Sequence, residues 1–341
     1  MVARLPVPLS VLDLCPVPAG ESTGEALRRS VDLARHADSL GYTRYWVAEH
    51  HNLPGIASSA PAVLVGRLAA ATSGIRVGSG GVMLPNHPPL TVAEQFGTLE
   101  ALHPGRVDLG IGRAPGTDRA TARALRRSAD GLPAADFASQ LAELRAYFSR
   151  QATAQQATDS TTRIRAIPAE GNEPALWLLG STGYSAELAG RLGLPFAFAH
   201  HLSAGSAANA RPALALYRSA FTPSPALAEP YSILSVSALC AKDAATAHWL
   251  HGSTRLATLR LKAGRPGPLP SPEEAAITAY SSAEQAVIAE ATASHVVGDP
   301  ATVTDALAQL QASTGADELM ATTSTFDHAA RLASFELLAR C

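Results

Sequence analysis

The stretch "IRVGSGGVMLPNHPPLTVAEQFGTLEALHPGRVDLGIG", residues 75–112, sets two apolar runs on either side of one helical pattern. The runs 75–84 and 107–112 read as strands, and 90–102 between them reads as a helix. Strands covered on both faces and separated by helices make a parallel sheet.

The same rhythm extends outward. Upstream lie a strand at 8–14, a helix at 24–40, a strand at 42–49 and a helix from about 60 to 73. Ser22 or Thr23 can cap the first helix, and Pro61 suits the first turn of the second. Downstream, 175–180, 195–200, 231–240 and 318–324 are strand candidates, and a helix over 329–340 closes the chain. Eight strands of this kind predict a (β/α)8 TIM barrel, with an open doubly wound sheet as the alternative. The whole chain, 1–341, reads as one barrel domain with insertions near 114–173 and 253–300. The four prolines of 261–275 fall between strands seven and eight. In a barrel the loops after the strands build the site, so this segment is either a lid or a surface elaboration.

Composition narrows the function. Twenty-seven Lys and Arg against 29 Asp and Glu leave a charge of −2, which gives no reason to expect a nucleic acid or an anionic membrane as partner. Cys15, Cys240 and Cys341 are far apart, without a CxxC pair, so a cytoplasmic protein without a disulfide framework or structural zinc is expected. Pro6 and Pro8 interrupt any signal-like run, and no uninterrupted apolar stretch of ~18 residues offers a membrane span.

Three strand ends carry chemistry. In "YTRYWVAEHHN", residues 42–52, Glu49, His50 and His51 follow an apolar strand. Because side chains alternate, one imidazole can face a pocket while the other is held by Glu49 or by backbone. A histidine beside a carboxylate can move a proton near neutral pH, although such a trio can also simply satisfy itself at a core edge. In "GSGGVMLP", Gly78, Gly80 and Gly81 interrupt a good strand, which marks a bulge, close packing, or a flat ring lying on bare backbone. "GIGRAPGTD" ends a strand in Arg113, and "LLGSTGYSAELAGRL" passes through Gly180, Ser181, Thr182 and Gly183 into a helix. A helix start with free N–H groups and hydroxyls binds phosphate, and an arginine completes the charge match; the same residues are also ordinary caps. His50, His51, His200, His201 and Asp13 could in principle form a barrel metal site, but no His-x-His or His-x-x-x-His spacing supports it.

Taken together, these motifs resemble the bacterial luciferase-like flavin monooxygenase family. The resemblance runs through "LSVLDL", "YTRYWVAEHHN", "IRVGSGGVMLPNHPPLTVAEQF" and "HPGRVDLGIGRAPGTD", and resumes at "LGSTGYSAELAGRLGLPFAFAHH". It implies a TIM barrel, usually dimeric, that works on a small organic substrate with O2 and reduced FMN (FMNH2) from a separate NAD(P)H flavin reductase. It implies that His50, with Glu49 and His51, is the catalytic group. Arg113, Ser181, Gly180, Thr182, Gly183 and Tyr184 would hold the flavin phosphate. Gly80–Gly81 would be a cis peptide beneath the ring. Gly112 and Gly180 stand where the luciferases proper carry a cysteine and an acidic residue, so light emission is not implied. The F420-dependent branch of hydride-transfer enzymes and the non-catalytic flavin-binding proteins are the alternatives. The Ala- and Arg-rich composition points to a high-GC bacterium, where such enzymes epoxidise or hydroxylate polyketides in antibiotic biosynthesis.

Overall fold

The computed structural model describes residues 5–114, 116–126, 137–148, 164–202 and 209–341. Seven parallel strands follow one another round a barrel: β1 (Leu9–Asp13), β2 (Arg44–Val47), β3 (Arg76–Met83), β4 (Val107–Gly112), β5 (Ala175–Gly180), β6 (Phe196–Phe198) and β7 (Ser232–Cys240). A short strand, β8 (Val296–Gly298), pairs with Ala238–Cys240 of β7, beyond the point where the last strand has left it. That last strand, β9 (Glu318–Thr322), pairs with both β7 and β1 and closes the ring. All eight expected strands are present, and closure decides for the barrel over the open sheet.

Local chemistry explains the helices that cover it. In α1 (Thr23–Ser39), Ser22 is the cap and its hydroxyl accepts the Glu25 N–H. Pro61 opens α2 (Pro61–Ala69), and α3 (Pro89–Leu102) follows the "LPNHPP" turn. On α3, Gly97 lets the helix lie directly on Ala169, because a Cβ there would sit 2.7 Å from the Ala169 nitrogen. Among the described residues between β4 and β5 lie the helices α4 (Arg119–Arg126) and α5 (Phe137–Phe148). Past β5 come α6 (Gly183–Arg191) and α7 (Ala210–Ala220). The insertion after β7 contains α8 (Ala244–Lys262), α9 (Pro272–Ile277) and α10 (Ser282–Ala291), and α11 (Pro300–Thr314) and α12 (His328–Leu338) complete the coat.

Inside the ring, Leu12, Trp46, Trp177, Ala197, Ile233 and Met320 form an apolar cluster of their own. Below it, at the start of the strands, lies a buried ionic plug. Arg44 Nε donates to Glu318 and Arg44 Nη1 to Asp108, each at 2.8 Å, while the guanidinium rests 4.7 Å from the Trp177 ring centroid. Asp108 also accepts from Trp46 Nε1 at 2.9 Å and Arg76 Nη2 at 2.6 Å, and Ser10 donates to Glu318. Buried charge is tolerated only when paired and fully hydrogen-bonded, and these groups are. The plug shuts the N-terminal end of the barrel and leaves the C-terminal mouth as the place for a site.

Candidate active site

The strand ends at that mouth surround a cleft of about 920 Å³ counted out to bulk solvent. Glu49, His50, Gly80, Arg113, Gly180, Ser181 and Thr182 all line it. His51, Gly81, Gly183 and Tyr184 do not reach its wall and act, where they act, from behind it.

Beyond the end of β2 the two imidazoles part. His50 faces the cleft, while His51 Nε2 is 2.9 Å from Glu49 Oε1. Glu49 is fully buried and also meets His87 Nε2 at 2.9 Å, Asn86 Nδ2 at 3.1 Å and the Met83 N–H at 3.0 Å. Burial by itself would raise its pKa. The hydrogen bond and charge of His87, with the bonds from His51 and Met83, outweigh that and hold the carboxyl below its usual range.

His50 is fixed from two sides. Its backbone N–H donates to Ser58 O at 2.9 Å, and its Nδ1 makes a long 3.4 Å contact to Gly116 O in the loop after β4. A carbonyl can only accept, so the proton belongs on Nδ1 and Nε2 keeps the free lone pair. Gly116 has φ +63°, and a Cβ there would press within 2.9 Å of Glu49 O, so this clamp requires glycine. Thr117 Oγ1 donates to His51 O at 3.1 Å and ties the same two loops. Burial pushes the His50 pKa down, only partly offset by the Gly116 bond and the Glu49 charge, so the ring is neutral near pH 7.

The glycines show two of the three expected features, close packing and a bulge. A Cβ on Gly78 would strike Asp108, which is close packing between β3 and β4. Gly80 lines the cleft, and its missing Cβ would sit 2.8 Å from Leu12 Cδ1 and 3.1 Å from Trp46. The register shifts between Gly80 and Val82, a bulge, and the Gly80–Gly81 peptide is cis.

Just past β4, Arg113 lines the cleft, has no carboxylate partner among the described residues and stacks 4.5 Å from the Tyr184 ring centroid. Thr182 is the N-cap of α6 in extended conformation, yet its hydroxyl caps no N–H, so the first-turn donors stay free. Gly180 permits this helix start to approach, since a Cβ there would meet Ser185 at 2.5 Å. A cation, two hydroxyls and a helix N-terminus thus converge on one spot.

The proline-rich segment expected as a lid or elaboration is stitched to the rim. Leu269 N donates to Val17 O and Ala19 N to Leu269 O, both at 2.8 Å. None of its residues lines the main cleft; it walls a neighbouring apolar groove that shares Leu14 with it. Asp13 is not free for a metal set: it accepts from Tyr45 Oη at 2.5 Å and from Arg331 Nη2 at 2.7 Å. Sequence reasoning assigned no role to His87, Asn86 or Ser235. The turn "LPNHPP" already placed a second histidine near a strand end, and that was the available signal for His87.

The luciferase-like monooxygenase family model matches residues 7–318. The chain belongs to the luciferase-like monooxygenase family. A luciferase-like monooxygenase of Escherichia coli (strain K12) is 46% identical over 97% of this chain and 96% of its own length. The uncharacterized protein YvbT of Bacillus subtilis (strain 168) is 50% identical over 97% of this chain and 95% of its own. Among solved structures, apo-MsnO8 is 40% identical, with a TM-score of 0.81, covering 98% of this chain and 96% of that one. As a luciferase-like monooxygenase the chain is an oxidoreductase, and the cleft at its barrel mouth is the candidate active site. No helix among the described residues is long and apolar enough to cross a membrane.

Proposed function

We propose that this luciferase-like monooxygenase takes reduced FMN from a separate NAD(P)H flavin reductase and uses O2 to transfer one oxygen atom to a small organic substrate. The observation that carries the reading is convergence: Arg113 meets the uncapped start of α6 at the rim of a cleft that His50 also lines. The donor set fits a phosphate, and Gly80, which lines the cleft without a side chain, offers bare backbone to a flat ring. When bound, reduced FMN supplies the two electrons that activate oxygen, and the residues around it do the rest.

Arg113, Ser181 and Thr182 bind the phosphate, with the start of α6 behind them, and set the depth of the ring. The apolar walls exclude water, which protects a reactive site from side reactions. His50 accepts or returns one proton at Nε2, held in that tautomer by the Gly116 carbonyl. Glu49 does not donate to substrate; it anchors His51 and His87 and fixes the backbone that carries His50. Exposed Val63 on α2 and Leu102 on α3 offer apolar surface for a homodimer.

The deciding experiment compares FMN with riboflavin, which lacks the phosphate. Arg113→Ala should weaken FMN by about tenfold or more and riboflavin by less than about threefold, as expected for one charge-assisted contact. Equal losses overturn the assignment, and binding of F420 in preference to FMN overturns the cofactor.

A further inference from the structure

Across the cleft from His50 stands a polar pair that neither phosphate binding nor the His50 proton uses. His201 follows β6 in the turn His200–Leu202, and Ser235 lies within β7. Both line the cleft, and His201 Nδ1 is 2.6 Å from Ser235 Oγ. Ser235 Oγ also lies 3.1 Å from the Phe198 carbonyl, which can only accept. A serine has one hydroxyl proton to give. Spending it on Phe198 O makes Oγ the acceptor for His201 Nδ1–H, and Nε2 is left as a lone pair that no described residue engages.

The surroundings say what that lone pair can meet. Ala197, Leu202 and Met320 beside it are apolar, and among the described lining residues only Glu49 and Arg113 carry a charged group. Glu49 is consumed by its four donors, and Arg113, against the Tyr184 ring, is taken up by the phosphate in the reading above. Burial, with repulsion from His50, His200 and His295, pushes the His201 pKa down to about 3, so the ring stays neutral wherever the enzyme works.

We propose that His201, oriented by Ser235, is the polar handle for the organic substrate, accepting a hydrogen bond from a hydroxyl or amide N–H of an otherwise uncharged, largely apolar molecule. The proposal rests on the reading of this cleft as a small-molecule oxygenase site and goes beyond it by naming the substrate class. A carboxylate would face a lone pair and an apolar wall with no cation to receive it. A hydroxyl held at Nε2 sets which edge of the substrate is turned toward the His50 side.

The test uses 2-naphthol and naphthalene, two compounds of nearly one shape that differ by a hydroxyl, titrated into FMN-loaded and FMN-free protein by calorimetry. The wild-type chain should prefer 2-naphthol by about fivefold or more, the usual weight of one buried hydrogen bond. His201→Phe should bring that ratio near one, His201→Gln should restore part of it, and Ser235→Ala should reduce it. FMN affinity should stay within about twofold in all three, since none touches the phosphate end. A preference that survives His201→Phe overturns the proposal. So does a tenfold loss of FMN in that variant, which would make the imidazole a cofactor ligand. Failure of the wild-type chain to bind FMN would instead refute the flavin reading, while the naphthol ratio in FMN-free protein is still measured.

Discussion

Replacing Glu49 by glutamine keeps the shape of the side chain and removes its charge, so its four donors must share a neutral amide. One carboxylate oxygen takes His51, His87 and Asn86, and the other takes the Met83 N–H. In E49Q, the amide NH2 must face either Met83 N–H or the three side-chain donors. In the milder orientation one buried N–H loses its acceptor, a cost of about 1–3 kcal/mol. The remaining bonds lose their charge assistance, at roughly 0.5–1 kcal/mol each. The sum is about 4 kcal/mol, within the span measured when one partner is removed from a buried charged pair. Urea unfolding followed by tryptophan fluorescence reads this as a lower midpoint at unchanged slope. An E49Q protein within about 1 kcal/mol of the parent would refute the argument, because the carboxylate would then not organise the mouth.

Acid should weaken the fold earlier than carboxylate titration alone would. Burial lowers His201 and His251 to about 3 and His295 to about 4, whereas the unfolded chain titrates near 6.5. Their folded pKa values are depressed, so the stability they contribute is complete above 6.5 and is lost as pH falls toward those values. At pH 5.5 each independent site costs about 1.4 kcal/mol, with His251 and His295, hydrogen-bonded to each other, counted together. Thermal melts should fall between pH 7.5 and 5.5, and a flat profile would contradict the burial of these rings. Gly97→Ala should destabilise by about 2 kcal/mol, because the new methyl meets Ala169 backbone that cannot rotate away and helix propensity offsets only part of the clash. An unchanged Tm would show that α3 can shift.

Local chemistry made most of the barrel readable beforehand. Eight apolar runs stood out because parallel strands are covered on both faces, and Ser22 and Pro61 act through neighbours one turn away. β8 escaped because three residues pairing only the end of β7 leave no periodic trace. The site was readable strand by strand, since Glu49, Arg113 and Ser181 all sit at strand ends, but its hydrogen bonds were not. Glu49 meets Met83, Asn86 and His87 across 34 to 38 residues of chain, and His201 meets Ser235 across 34. Such partners are fixed by strand order and register, which no local pattern encodes. The plug did leave a sign, since Arg44, Asp108 and Glu318 are opposite charges inside otherwise apolar strands.

That plug makes the barrel a vessel with one door. With Arg44, Asp108 and Glu318 locked beneath Trp46 and Trp177, nothing passes through the floor. Whatever lies deepest must arrive first and depart last, and a guest above it holds it in place. Traffic at the rim, rather than at the bottom, then governs turnover, and product-inhibition kinetics should show a compulsory order of entry.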